Sequence, residues 1–137
     1  MANTNELRTG RHCVFKLHVH LVFVTKYRRN VLTGAAHATL RAIFTKVCQD
    51  FAAILVESHG EDDHVQLLVE YPPKVALSHL VNSLKGVSSR RLRQQQPDMA
   101  GQYYKGVLWS PSYLAASGGG APLSIIRQYI EEQRHNL

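Results

Sequence analysis

The order of apolar and polar positions along the chain predicts its first regular elements. Residues 14–24 are rich in β-branched and aromatic side chains interleaved with histidines, which predicts a strand buried on at least one face. Residues 40–51 place apolar side chains every three or four positions, which predicts an amphipathic helix. Residues 53–58 and 64–70 are short apolar segments around a polar turn that contains glycine, and they predict a β-hairpin.

The second half of the chain repeats this alternation. Residues 77–88 carry a second helical stripe, and residues 107–116 predict a strand whose Pro111 is typical of an edge or a bulge. A glycine joint at 118–120 precedes a last helix that is predicted to begin near Pro122. The resulting order is β-α-β-β-α-β with one added helix. It predicts an α+β, ferredoxin-like fold with a four-stranded antiparallel sheet and two helices on one face.

Length and composition limit the class of protein. Residues 1–10 are polar and predict a flexible arm, and residues 11–137 predict a single domain, since two domains would each lack a sufficient core. The hydrophobic fraction of 45% excludes a disordered chain, and no apolar run approaches the roughly 20 residues of a membrane span. The polar start predicts a cytosolic protein, and two cysteines are too few for a disulfide framework.

The net charge of +6 makes a polyanion the first partner to consider, although a basic surface can also serve solubility alone. Basic and hydroxyl side chains follow the first strand and crowd the second helix. The candidate nucleic-acid contacts are Lys26, Arg28, Arg29, Lys85, Ser89, Arg90, Arg91 and Arg93. Such clusters suit a phosphate backbone and unstacked bases, but each can also be the solvated face of its element. We expect the cations on the second helix to lie on its outer side.

Two pairs of residues could carry chemistry. His64 and Gln66 are two apart on a predicted strand, so their side chains share a face, and both residue types can ligate a metal. A polar strand face exposed to water is the alternative. Tyr129 and Gln133 are four apart on the last helix and also share a face. Tyr129 is either a packing residue or a nucleophile, and a nucleophile would need activation because the reference phenol pKa is near 10.

Five segments carry a resemblance to a known family. They read LVFVTKYR at 21–28, DHVQLLV at 63–69, LKGVSSR at 84–90, LWSPSY at 108–113 and QYIEEQ at 128–133. With these segments in this order, the chain resembles the small single-tyrosine transposases of the HUH superfamily, the TnpA proteins, and the related REP-associated tyrosine transposases. The resemblance covers nearly the whole chain after residue 11. It implies cleavage and rejoining of single-stranded DNA at hairpin-bearing element ends through a 5′-phosphotyrosine intermediate, with Mg²⁺ or Mn²⁺ as cofactor.

The resemblance also implies roles for individual residues. Tyr129 corresponds to the nucleophile, His64 to the first metal-binding histidine and Gln133 to the metal-binding residue one turn beyond the tyrosine. Gln66 departs from the pattern, because the family has a second histidine there. An amide oxygen can still ligate a hard cation, so three interpretations stay open: a natural active variant, a weakened or domesticated copy, or an engineered inactive mutant. The last two would act as hairpin single-stranded nucleic-acid-binding proteins.

Further implications concern location and assembly. The resemblance implies a prokaryotic, cytoplasmic, nucleoid-associated protein. It also implies a homodimer in which Tyr129 and Gln133 of one chain meet His64 and Gln66 of the other. The joint at 118–120 suits either docking of the last helix, because glycine tolerates large dihedral changes. Two rival classes are a pure nucleic-acid-binding module, which leaves Tyr129 without a role, and a metal-dependent small-molecule enzyme, which leaves the basic clusters unexplained.

Overall fold

The computed structural model describes residues 7–10, 13–103, 106–117 and 123–133. Its strands and helices, in chain order, are β1 (Arg8–Thr9), β2 (Val14–Phe15), β3 (His18–Val24), α1 (Gly34–Asp50), β4 (Ile54–Glu61), β5 (His64–Glu70), α2 (Leu77–Gln95), β6 (Leu114–Ser117) and α3 (Leu123–Glu132). The main sheet has four antiparallel strands in the order β4-β5-β3-β6, with β1 and β2 forming a separate pair. The predicted α+β class and ferredoxin-like order are confirmed.

Strand β3 divides its side chains between the two faces of the sheet because neighbours along a strand point in opposite directions. Val19, Leu21 and Phe23 are buried in the core that α1 and α2 help to form. Val22 and Val24 point the other way and are buried in a second cluster with residues of α3. Burial on both faces explains why this strand is apolar at nearly every position from its centre onward.

Helix α1 forms where the periodic pattern predicts it. The Thr33 hydroxyl accepts a hydrogen bond from the Ala36 amide, which caps the first turn of the helix. Its buried residues are Ala36, Leu40, Ile43, Phe44, Val47 and Cys48. Helix α2 buries Leu80, Val81, Leu84, Ser88 and Leu92 in the same way. Within the described ranges, no helix has the length and apolar content needed to cross a membrane.

Several predicted boundaries are wrong. The predicted arm had no regular structure, but Arg8–Thr9 pair with Val14–Phe15 as a short ladder. The strand predicted over 14–24 is broken, since residues 16 and 17 separate β2 from β3. The strand predicted over 107–116 is interrupted: Trp109 forms an isolated bridge to Thr25, and a regular strand begins only at Leu114, because Pro111 lacks the amide hydrogen that a ladder needs. The predicted joint at 118–120, and residues 1–6 of the arm, lie outside the described residues.

The hairpin between β4 and β5 is tighter than predicted, and this matters for the site. The predicted turn covered residues 59–63, but β4 continues to Glu61 and only Asp62 and Asp63 remain in the turn. Glu61 therefore pairs directly with His64, and His59 pairs with Gln66. The register brings four polar residues of two strands to one end of the sheet.

Candidate functional site

His64 is held in one orientation at the start of β5. Its Nδ1 donates to Asp63 Oδ1 at 2.8 Å, and Asp63 Oδ2 accepts from Arg28 Nε at 2.9 Å. Because the carboxylate engages one ring nitrogen, the other nitrogen is left as an acceptor, and it lies 3.3 Å from the Gln66 side-chain nitrogen. Metal-binding histidines are commonly oriented by a carboxylate in this way.

The Asp63 carboxylate is negatively charged at neutral pH. Its burial opposes ionisation, but hydrogen bonds from His64 and Arg28, together with their charges, outweigh burial and lower the pKa of Asp63 overall. Arg28 reaches Asp63 because the chain after β3 turns sharply, with Tyr27 at φ 60° and Arg28 at φ 56°. Both values lie in the left-handed region that L residues rarely adopt, so the surrounding contacts must hold this turn in place.

The Gln66 amide lies between two histidines. Besides its contact with His64, its side chain is hydrogen-bonded to His20 of β3. Burial lowers the pKa of His20, and the hydrogen bond to Gln66 only partly offsets this effect. The lowered pKa favours a neutral His20 at pH 7, and its hydrogen bond adds to the contacts that hold the Gln66 side chain. The prediction that His64 and Gln66 share a strand face agrees with this arrangement.

A cleft of about 440 Å³ opens between this end of the sheet and α3. Its polar wall comes from the β4–β5 hairpin, and α3 provides the other wall. Its lining residues include His59, Glu61, Asp63, His64 and Gln66 from the hairpin, and Ile126, Arg127, Ile130 and Glu131 from α3. Ligand atoms of Glu61, Asp63 and His64 lie within 4.8 Å of one another, which forms a group able to hold a cation.

The residues in the cleft fit a divalent ion. His64 offers an oriented ring nitrogen, Gln66 offers an amide oxygen after rotation of its side chain, and Glu61 offers a carboxylate. Nitrogen and oxygen donors of this kind suit Mn²⁺, and the oxygen donors suit Mg²⁺. Glu61 was not predicted as a ligand. The hairpin register identifies Glu61 as a candidate ligand, because a two-residue turn places Glu61 opposite His64.

Tyr129 and Gln133 make their contacts elsewhere. Gln133 Oε1 accepts hydrogen bonds from Ser110 Oγ at 2.7 Å and Ser112 Oγ at 2.9 Å. The Tyr129 hydroxyl lies 2.7 Å from Ser112 Oγ, and it is the donor because the Ser112 hydrogen is directed to Gln133. Burial raises the pKa of Tyr129, and the contact with Ser112 offsets this only in part. The phenol is therefore protonated at neutral pH.

Within one chain, the predicted catalytic set is thus divided into two pairs. Helix α3 directs Arg127 and Glu131 into the cleft, whereas Tyr129 lies two positions from each, roughly 200° around the helix. Tyr129 and Gln133 are not among the described residues that line the cleft. The structure brings His64 next to Gln66 and Tyr129 next to Gln133, but it does not bring the two pairs together.

The residues predicted to contact nucleic acid differ in how exposed their side chains are. Arg90 and Arg91 are exposed on α2, and Arg29 is exposed while donating to the Gln102 carbonyl at 3.2 Å. Lys26 is half-buried, with its ammonium 5.4 Å from the Tyr27 ring centroid. These cations are arranged along two elements, as the sequence pattern predicts.

The remaining predicted contacts have internal partners. Arg93 lies over the Tyr103 ring at 5.7 Å, and the Ser89 carbonyl accepts from the Tyr103 hydroxyl at 2.9 Å. Arg28 forms an ion pair with Asp63. Lys85 was predicted on the outer side of α2, and this is wrong: its ammonium turns inward and donates to two backbone carbonyls. Burial lowers the pKa of Lys85 to about 8.

Comparisons with known proteins agree with this fold. The family described as "Transposase IS200 like" matches residues 13–133. The chain is 32% identical over 128 residues to the ISDra2 transposase TnpA of Deinococcus radiodurans, covering 93% of this chain and 91% of that protein. It is 30% identical over 122 residues to the transposase for insertion sequence element IS200 of Salmonella typhimurium, covering 89% of this chain and 80% of that protein.

Two solved structures are also similar. A crystal structure of a transposase from Deinococcus radiodurans R1 has a TM-score of 0.84 and 33% identity, covering 92% of this chain and 97% of that one. The structure of a REP-associated tyrosine transposase bound to a REP hairpin has a TM-score of 0.55 and 15% identity, covering 94% of this chain and 74% of that one. At this low identity, the second similarity concerns the fold alone.

Proposed function

Because the chain belongs to the IS200-like transposase family, a family of DNA-cleaving enzymes, we propose that it cuts and rejoins single-stranded DNA at hairpin-bearing ends through Tyr129. The observation that carries this proposal is the His64 arrangement. An imidazole oriented by Asp63 presents its second nitrogen beside Gln66, at the wall of an open cleft. Such a site suits a cation that contacts a phosphodiester.

In the proposed reaction the Tyr129 oxygen attacks the scissile phosphorus. A bond forms between that oxygen and the phosphorus, while the bond from the phosphorus to the 3′ oxygen breaks. The phenol loses its proton and the leaving 3′ oxygen gains one. The energy of the phosphodiester is retained in the 5′-phosphotyrosine, so a 3′ hydroxyl can reverse the step and rejoin the strand without a nucleotide cofactor. The chemistry that Mg²⁺ or Mn²⁺ supplies at His64 and Gln66 is charge neutralisation at the phosphate.

A homodimer with shared sites is part of this proposal. Its support is the position of Tyr129, which contacts Ser112 and is not among the described residues that line the cleft containing His64 of the same chain. A second chain would place its own Tyr129 and Gln133 beside this His64 and Gln66. Mixing Tyr129→Phe chains with His64→Ala chains tests the arrangement, since each variant alone is expected to be inactive. Recovery of cleavage in mixed dimers supports shared sites, and no recovery indicates that each chain completes its own site.

A second candidate function is hairpin binding without cleavage. It is favoured by Gln66, because a neutral amide is a weaker ligand than imidazole for Mn²⁺ and here the amide already bonds to both His20 and His64. This interpretation covers a weakened, domesticated or mutant copy. The exposed cations Arg29, Arg90 and Arg91 would bind DNA in either case. We expect either protein to act at the prokaryotic nucleoid, where its substrate is.

One experiment separates the two functions. The protein is incubated with 5′- and 3′-labelled hairpin-bearing single-stranded DNA and Mg²⁺ or Mn²⁺, then resolved on native and denaturing gels. We expect a covalent 5′ adduct that Tyr129→Phe abolishes while hairpin binding is kept. Binding without an adduct, followed by adduct formation after Gln66→His, would assign the chain to the binding function. Absence of binding would reject both.

A further inference from the structure

Lys85 has contacts that its position on a basic helix does not predict. Its Nζ donates to the Ser110 carbonyl at 2.6 Å and to the Ser112 carbonyl at 3.1 Å. The ammonium also lies 6.0 Å from the ring centroids of Phe23 and Tyr113. Two carbonyl dipoles and two aromatic faces therefore surround the ammonium, and they offset part of the cost of burying the charge, which lowers its pKa to about 8.

The two residues that Lys85 contacts also form hydrogen bonds with Tyr129 of α3 and with Gln133, which follows α3. We call Ser110 and Ser112 the serine pair. Their hydroxyls donate to Gln133 Oε1, and Ser112 accepts from the Tyr129 hydroxyl. A continuous series of hydrogen bonds therefore joins the Lys85 ammonium, through the backbone and side chains of the serine pair, to the reacting oxygen of the proposed nucleophile.

The serine pair lies between Trp109, which forms an isolated bridge to Thr25, and the start of β6. Pro111, between the two serines, has no amide hydrogen, and β6 begins only at Leu114. The Ser110 amide donates to the Val24 carbonyl at 2.7 Å, which fixes one end of the segment, and the pairing of Leu114 with Val22 fixes the other. Between these two anchors the Ser112 carbonyl accepts a hydrogen bond from the Lys85 ammonium, and a charge-assisted hydrogen bond is about twice as strong as a neutral one.

We propose that Lys85 is a positioning residue, which fixes the serine pair and thereby the Tyr129 hydroxyl and the Gln133 amide. This inference rests on the proposed role of Tyr129 as the nucleophile. It replaces the DNA-contact role that the charge pattern predicts for Lys85. Placement matters because a displacement of about 1 Å at a reacting group can slow a reaction by roughly 100-fold.

The test compares Lys85→Met with Lys46→Met, the same substitution at an exposed lysine of α1. For each full-length variant, the hairpin DNA Kd, the single-turnover rate of adduct formation at saturating DNA and the melting temperature are measured. We expect Lys85→Met to lower the rate by roughly 10- to 100-fold with Kd changed less than about twofold, and Lys46→Met to change neither. A raised Kd with a smaller salt dependence and an unchanged saturating rate would show that Lys85 contacts DNA, which overturns the proposal.

Coupling to the serine pair excludes a merely structural role. If Lys85 acts through the pair, adding Lys85→Met to a Ser110→Ala/Ser112→Ala protein should lower the rate little further. A full additional loss would contradict the inference. Should Lys85→Met lower the melting temperature, Lys85→Gln keeps an amide donor and provides a second measure of the same rate.

Failure of the inference can be told apart from failure of the proposed function. If the unmodified protein forms no adduct, hydrogen exchange of the α3 amides still reports whether Lys85 holds this helix. Faster exchange in Lys85→Met than in Lys46→Met supports the inference. Equal exchange in the two variants overturns it, whatever the DNA assay shows.

Discussion

Gly60 in β4 is a position where one added methyl group tests the register that places His64. A Cβ at Gly60 would lie 2.2 Å from the His64 carbonyl oxygen, 2.9 Å from Val65 Cα and 3.0 Å from His37 Cε1. The first two are backbone atoms of the neighbouring strand, so no change of rotamer removes the overlap. Gly60→Ala must therefore push β4 away from β5 next to the proposed cation site.

The size of the effect follows from these distances. Restoring an ordinary contact of about 3.4 Å requires the strands to separate locally by about 1 Å. Overpacking of this kind costs about 1–3 kcal/mol, and each weakened ladder hydrogen bond adds about 1 kcal/mol. We expect Gly60→Ala to lower the free energy of unfolding by about 3 kcal/mol. Gly86→Ala is the matched control, because nothing lies within 4 Å of its added Cβ in α2.

The control substitution is expected to change the free energy of unfolding in the opposite direction. Alanine is favoured over glycine inside a helix, so Gly86→Ala should raise the free energy of unfolding by about 0.5–1 kcal/mol. Both values are measured by urea unfolding followed by circular dichroism, and Mn²⁺ affinity is measured by titration calorimetry. Gly60→Ala should also weaken Mn²⁺ binding, since the shift displaces the His64 backbone. A Gly60→Ala protein as stable as the unmodified one, with unchanged Mn²⁺ affinity, would refute the described register of β4 and β5.

Three further predictions concern thiol reactivity, acid stability and DNA affinity. Burial raises the pKa of the Cys48 thiol to about 12, whereas Cys13 is exposed. At pH 8 a thiol reagent should therefore modify Cys13 and spare Cys48, which mass spectrometry of the labelled, folded protein would show. Equal labelling of the two cysteines would contradict this prediction. Because the pKa of Asp63 is lowered on folding, its stabilising effect is present above its ordinary value of 3.8 and is lost as pH falls below it. Asp63→Asn should therefore lower the melting temperature at pH 7 and reduce its dependence on pH below 4; an unchanged acid profile would count against the ion pair. Replacing Arg90 and Arg91 with alanine should weaken hairpin DNA binding without changing the melting temperature. The slope of log affinity against log salt concentration should fall in magnitude by about 0.7 for each lost contact with single-stranded DNA. An unaltered slope would show that the DNA binds elsewhere.

The sequence by itself determined much of the local structure. Helical spacing in α1 and α2 and β-branched runs in β3 and β5 predict the elements, because a buried face imposes its period on the residues that form it. The placement of His64 and Gln66 on one strand face follows from the same rule. The order of elements then limits the topology to a few arrangements, of which the ferredoxin-like sheet is the observed one. Boundaries next to Pro111 and in the hairpin turn were wrong, since local patterns specify ends poorly.

Only the tertiary structure decided which residues meet. The Arg28 side chain pairs with Asp63, 35 positions away, and Lys85 reaches Ser110, 25 positions away. Periodicity says which way a side chain faces within its own element, but the partner depends on strand register and on how loops close across the sheet. For the same reason, the helical wheel pairs Tyr129 with Gln133 but cannot say that both contact the serine pair and that neither is among the described residues lining the cleft. That depends on the packing of the helix against the second face of the sheet.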